Sequence, residues 1–391
     1  MQPADNPFTP GATLQPPVLA GRQALLAAAD LRWSRLLHGR GQRSLLLTGL
    51  HGSGKTALLG ALAGRATAAG LKVERLTASP ERPLAEGLAP ALRSLLFGLT
   101  GGAPAGGALQ VLEAFARTHA PLARRAVDDP APVLPELPGS GDSGALAPDL
   151  AGVLRALGGA ASAAGGAGLL MVDEVQALEA ADVEALVLGQ QALHESGAPL
   201  ALVLCGLPFQ ASLGEALATA AERAFDQERL APLDEAGLEQ AVQQPAARLG
   251  ASLAPAALRE LLRLSKGLPF LVQAWAHHAW NRSKGAQVTL EDLRLSADTV
   301  EADLDRNFYG PGFERLSPRE RAYLRSMAHL GPGPHRSSDV ADSMDSKLSS
   351  LGPLRARLLR HGLVFSPSHG LVGFAAPGYD AFMRRAMPNF R

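Results

Sequence analysis

Apolar residues recur along the chain in two rhythms. One is short and nearly continuous. Ser44-Leu45-Leu46-Leu47-Thr48, Gly168-Leu169-Leu170-Met171-Val172 and Leu200-Ala201-Leu202-Val203-Leu204-Cys205 are apolar runs bounded by Gly, Pro or Asp. Their length and boundaries suit buried parallel strands, with a further short strand from Leu71 to Leu76. The other rhythm repeats every three or four residues and predicts helices. It covers Arg22–Leu37, Lys55–Ala69, Leu84–Phe97, Ala108–Thr118 and Leu150–Leu157, then Leu233–Leu249, Pro255–Ser265, Phe270–Asn281 and Leu290–Leu304. Alternation of strands and helices up to Cys205 implies a doubly wound parallel sheet. Residues 1–16 are broken by Pro and Gly and read as an extended lead-in. Pro121–Pro148, rich in Pro, Gly, Asp and Ser, reads as a long mobile loop.

The last 75 or so residues change pattern again. Ser317-Pro318-Arg319-Glu320 is a capping box with proline at the first helical position. It opens an amphipathic helix carrying Tyr323, Leu324 and Met327. A short helix starts at Ser337-Ser338-Asp339, and a third covers Ser346–His361 with Leu351, Leu354 and Leu358 on one face. Leu363-Val364-Phe365-Ser366 and Leu371-Val372-Gly373-Phe374 flank the turn Pro367-Ser368-His369-Gly370, a hairpin signal. Three helices and a hairpin make a winged helix.

Two short motifs carry chemistry. Gly49-Leu50-His51-Gly52-Ser53-Gly54-Lys55-Thr56 fits G-x-x-x-x-G-K-[ST] between a strand and a helix. Its glycines let consecutive N–H groups turn toward an anion, and the following helix adds its positive end. Lys55 is expected to reach the β- and γ-phosphates of ATP, and the Thr56 hydroxyl to ligate Mg²⁺. Asp173-Glu174 closes the third strand. Asp173 is placed to hold the Mg²⁺, and Glu174 to orient or deprotonate an attacking water. The fourth strand ends Cys205-Gly206-Leu207-Pro208, with no polar side chain at its tip to sense the γ-phosphate. Turnover is therefore expected to be slow.

Composition narrows the class. The 391 residues suggest two or three domains, and the 47% hydrophobic share supports a globular core. Net charge is zero, yet its distribution is uneven: Glu314–Arg391 holds 12 Arg or Lys against 6 Asp or Glu, leaving the remainder at −6. Cys205 is the one cysteine, so neither an intramolecular disulfide nor a cysteine zinc site can form, which fits a reducing cytoplasm. No export signal or membrane-spanning stretch is evident.

Val18-Leu19-Ala20-Gly21-Arg22, the P-loop, Met171-Val172-Asp173-Glu174-Val175-Gln176, Cys205-Gly206-Leu207-Pro208 and Gly267-Leu268-Pro269 occur in that order. In this the chain resembles the AAA+-related group that includes archaeal-type ATPases, STAND ATPases and origin-recognition initiators. Within that group it is similar to bacterial ATP-binding proteins with a C-terminal winged helix. The resemblance implies that Val18, Gly21 and Arg22 lie along the adenine and that Pro269 touches the nucleotide from a helical lid. It makes Arg223 the nearest candidate for an arginine acting on a neighbouring subunit's nucleotide.

The expected architecture is an α/β P-loop NTPase sheet with a helical lid, followed by a winged helix. The divisions are 1–16 lead-in, 17–235 ATPase domain, 236–300 lid and 301–391 winged helix. The expected function is an ATP-hydrolysing switch whose winged helix binds duplex DNA through Arg355, Arg357 and Arg360. The alternative is a signalling or assembly switch, self-associating or binding a protein partner.

Overall fold

The computed structural model describes residues 2–11, 15–102, 106–125, 141–208 and 215–389. Its contacts divide the chain into two compact units, one of residues 27–48 and 61–229, the other of residues 1–26, 49–60 and 230–391.

The first unit is built on five strands, β1 (Ser44–Thr48), β2 (Lys72–Thr77), β3 (Gly168–Asp173), β4 (Leu200–Gly206) and β5 (Phe225–Arg229). All pair in parallel, in the order β2-β3-β4-β1-β5. The three central strands, β1, β3 and β4, are buried at every position, as their unbroken apolar runs require. Register aligns Leu46 with Leu204 and Val172 with Leu204, so β1, β3 and β4 end at one edge of the sheet. Edge strand β2 carries Lys72, Glu74 and Arg75 and is partly exposed. Helix Ala180–Ser196 buries Val183, Ala185, Leu186, Val187, Ala192 and Leu193 over much of its girth, while Leu188 is exposed and Gln190 buried, which blurs its periodicity.

The expected loop over 121–148 is corrected at both ends. Helix Pro121–Arg125 forms because the buried Glu86 carboxylate accepts the amides of Leu122 (3.0 Å) and Ala123 (2.6 Å), two otherwise unpaired first-turn donors. Helix Leu146–Ala164 starts earlier than expected, since Pro148 falls in its first turn, where a missing N–H costs nothing. Buried Asp149 ties its start to the preceding turn, accepting from Ser143 N (3.1 Å), Ser143 Oγ (2.7 Å) and His119 Nε2 (2.7 Å). The centre of that expected loop, 126–140, lies outside the described residues.

In the second unit, helices Glu235–Ala247, Pro255–Ser265 and Pro269–Arg282 enclose an apolar core with Phe8 and Trp280. The N-terminal lead-in packs against this core. Phe8 is buried edge-on to Trp280 (5.9 Å), and Asn6 Nδ2 donates to the His277 carbonyl (3.0 Å) and Asn281 Oδ1 (2.7 Å). The helix expected over Leu290–Leu304 is two, Leu290–Leu295 and Ala297–Leu304, parted at Ser296, whose hydroxyl donates back to the Asp292 carbonyl (2.7 Å). Two short parallel strands, β6 (Ser252–Leu253) and β7 (Gln287–Val288), were not foreseen.

The three expected C-terminal helices are Pro318–Leu330, Ser337–Ser343 and Leu348–Arg360. The Ser317 capping box forms, and Tyr323, Leu324, Met327, Leu351, Leu354 and Leu358 are buried together. The hairpin pairs β9 (Val364–Phe365) with β10 (Leu371–Phe374), and β8 (His335–Arg336) adds a third antiparallel strand. A fourth helix, Tyr379–Ala386, packs its aromatic side chains into the same core. No helix among the described residues is long and apolar enough to cross a membrane.

Candidate functional site

Strand β1 leads directly into the Gly49 loop, and helix Lys55–Ala68 leaves it. Gly52 (φ +81°) and Gly54 (φ +85°) take left-handed conformations that L side chains rarely adopt. Gly49 is fixed sterically, since a Cβ there would lie 2.5 Å from Ser53 Oγ. Ser53 is buried, and its hydroxyl has no hydrogen-bond partner among the described residues. Lys55 is buried too, its ammonium donating to the carbonyls of Gly49 (2.9 Å) and Leu50 (3.2 Å). An orphaned hydroxyl, a folded-in ammonium and the first N–H groups of a helix make a cluster of donors suited to an anion. Thr56, the expected magnesium ligand, is half-buried in the first turn of that helix.

The loop is braced by distant parts of its own unit. Arg22 Nη2 donates to the carbonyls of Ala231 (2.7 Å) and, at longer range, Ser53 (3.4 Å). Burial lowers the Arg22 pKa from its ordinary value. Phe270 N donates to the Gly52 carbonyl (3.0 Å), and a Cβ on Gly54 would meet Pro269 Cγ at 3.8 Å. Val18 is half-buried against the Phe8–Trp280 core. Arg22 and Pro269 are therefore brought to the P-loop, while Val18 packs beside the segment that carries Arg22.

His51 makes the ties that the sequence did not disclose. Its amide donates to the Ala375 carbonyl (2.9 Å), and its ring Nε2 lies 2.7 Å from the Gly362 carbonyl. A carbonyl only accepts, so Nε2 carries a proton in this arrangement. Gly362 follows the third C-terminal helix and Ala375 follows β10.

At the end of β3, Asp173 is buried and its Oδ1 accepts from the Glu174 amide (2.9 Å). Glu174 itself is left-handed (φ +58°), an uncommon conformation for a residue with a Cβ. Its carboxylate accepts a hydrogen bond from Gln176 Nε2, and Gln176 Oε1 accepts from Leu207 N (2.9 Å) just past β4. Gln176 is the residue that motif reading passed over. The available signal was an amide side chain two positions after the glutamate. Cys205 is fully buried within β4.

Arg223 is exposed in the last turn of helix Glu215–Ala224. Arg355 turns toward the hairpin, donating to Ser366 Oγ and to the Leu371 carbonyl (3.0 Å). Arg357 pairs with the buried Glu320 (3.1 Å), and Arg360 is half-buried and also partnered. Among the described residues no group of three His, Cys, Asp or Glu could hold a metal ion by itself.

Residues 38–213 match the family model described as AAA domain, and residues 306–383 match a domain of unknown function, DUF8462. No curated protein is a significant match. Among solved structures, the chain is similar to the Walker-type ATPase of Pyrococcus abyssi at 15% identity and TM-score 0.54, covering 94% of this chain and 96% of that one. The Orc1 protein of Aeropyrum pernix in complex with DNA gives 16% identity and TM-score 0.47, with 95% and 94% covered. The RuvB Holliday junction branch migration motor of Thermotoga maritima gives 15% and 0.46, with 92% and 95% covered. The parallel five-stranded sheet and the P-loop give the α/β fold of a P-loop NTPase, and residues 38–213 are similar to the AAA domain.

Proposed function

We propose that the chain is an ATP-binding, slowly hydrolysing switch whose C-terminal domain reads the state of the P-loop. One observation carries this: His51, inside the P-loop, is hydrogen-bonded through both amide and ring to the segments around the third C-terminal helix and hairpin. A loop that changes on binding phosphate would pull on those segments directly.

In this reading Gly49, Leu50, His51, Gly52, Ser53, Gly54, Lys55 and Thr56 cradle the triphosphate, and Val18, Arg22 and Pro269 line the rest of the nucleotide. Lys55 exchanges its bonds to Gly49 and Leu50 for phosphate oxygens. Thr56 and Asp173 would hold Mg²⁺, which would neutralise phosphate charge. Glu174 takes the proton of the attacking water. The finer division into 17–235 ATPase, 236–300 lid and 301–391 winged helix belongs to the same proposal.

The target of the C-terminal domain is better read as a protein surface than as DNA. Arg355 is turned inward and Arg357, though exposed, is paired with Glu320; between the exposed Lys347 and Arg357 the outer side of the third helix presents Ser349, Ser350, Gly352, Pro353 and Ala356. Phosphate binding needs exposed cations there. The +6 balance of residues 314–391 favours the DNA reading instead. Binding to duplex DNA, measured with ATP, ADP and no nucleotide across a salt series, separates the two. Salt-dependent binding that changes with nucleotide supports DNA. No binding at low salt leaves the protein partner.

A further inference from the structure

We infer that Gln176 is a positioning residue for hydrolysis, holding the Glu174 carboxylate by a tie to the tip of β4. The inference rests on the reading of Glu174 as the base. Tips of the strand beside the Asp-Glu strand are where a polar side chain is expected, and β4 offers Cys205-Gly206. The structure instead joins the end of β4 to the acidic turn through Gln176. Gln176 Nε2 donates to the Glu174 carboxylate while Gln176 Oε1 accepts from Leu207 N at 2.9 Å. One planar amide thus links the glutamate to the end of β4.

The local geometry is built for this link. A Cβ on Gly206 would lie 2.6 Å from Gln176 Oε1 and 2.8 Å from Val175 Cγ2, so only glycine lets the turn approach β4 this closely. Glu174 is held left-handed, which turns the chain so that residue 176 comes back beneath residue 174. A carboxylate oxygen fixed by the amide leaves the other oxygen oriented for a water. In the step served, that water's oxygen bonds to the γ-phosphorus and the bond from phosphorus to the β,γ-bridging oxygen breaks. ADP departs with the electron pair, and the water's proton passes to Glu174.

Two variants separate orientation from scaffolding. Gln176→Ala removes both bonds. Gln176→Glu keeps an acceptor for Leu207 N but loses the donor to Glu174. Both are expected to lower kcat by roughly tenfold or more with KM within about twofold, because a misplaced group costs rate rather than binding. In a Glu174→Gln background, Gln176→Ala is expected to add less than about twofold, since the two act as a unit. A readout without turnover accompanies this. In nucleotide-free protein the Gln176 side-chain amide protons should resonate downfield, and Glu174→Ala should abolish that shift. Wild-type kcat in Gln176→Glu, or full additivity with Glu174→Gln, would overturn the inference. If wild type hydrolyses no more ATP than Lys55→Ala, the hydrolysis reading has failed and this inference falls with it.

Discussion

The P-loop and the Asp173-Glu174 turn are secured in opposite ways. The P-loop is held by residues far away in sequence: Ala375 and Gly362 on His51, Phe270 on Gly52, and Arg22 bridging Ser53 to Ala231. The acidic turn is held by near neighbours and by its own sheet, through Gln176 and Leu207. The loop proposed to bind phosphate is thereby tied to Phe270, Gly362 and Ala375, whereas the groups read as hydrolytic are tied to β4. A change at the P-loop should be felt in the C-terminal domain, and a change at Glu174 should stay within the α/β unit.

Four substitutions break or sharpen that contrast. The largest effect is expected for Lys55→Ala, which should abolish the ATP-dependent rise in Tm, since a ligand stabilises only by binding the native state. Thermal shift with and without ATP and Mg²⁺ checks it. Next, Glu174→Gln should lower hydrolysis by about 10² or more while leaving ATP binding intact. Steady-state phosphate release beside an equilibrium binding titration distinguishes the two effects.

Gly267→Ala should come third. Gly267 is left-handed (φ +70°), a Cβ there would lie 2.3 Å from the Leu233 carbonyl, and its own carbonyl accepts Leu233 N at 2.7 Å. A loss of about 1–3 kcal/mol is expected from denaturant titration, with weaker ATP binding because the Pro269-Phe270 brace is displaced.

The smallest effect concerns Arg357. Burial pushes the Glu320 pKa up. The Ser317 hydroxyl and amide, with the Arg357 and His361 charges, outweigh burial and hold the carboxyl below its ordinary value. A depressed carboxyl contributes stability that is present above its unfolded pKa and lost as pH falls through its folded pKa. Arg357→Ala raises that folded pKa, so Tm should begin to fall at a higher pH than in wild type. The shift should be modest because Arg357 is 55% exposed. Because of this pairing, loss of DNA binding in Arg357→Ala counts only if the melting curve at neutral pH is unchanged.

Much of the fold was legible. The apolar runs of β1, β3 and β4 are buried at every position, and the capping box at Ser317 opens the helix that it announced. What escaped was set by tertiary contact. Ser296 splits a continuous apolar pattern by bonding its own backbone, and Glu86 creates a helix at Pro121 from 35 residues away. At the site, the G-x-x-x-x-G-K-[ST] spacing named the loop correctly because left-handed glycines are a local demand. The roles of His51 and Gln176 were not legible, since each depends on a partner strand or domain that spacing does not encode. Arg355 teaches the converse: a cation expected to contact DNA turns inward to the hairpin.

Amide hydrogen exchange over residues 362–376, with and without ATP and Mg²⁺, tests the coupling most directly. In wild type, ATP should change protection around Gly362 and Ala375, and His51→Ala should lose most of that change while still binding ATP. An ATP response that is the same in both proteins, or no response in wild type although ATP occupies the P-loop, would contradict the coupling.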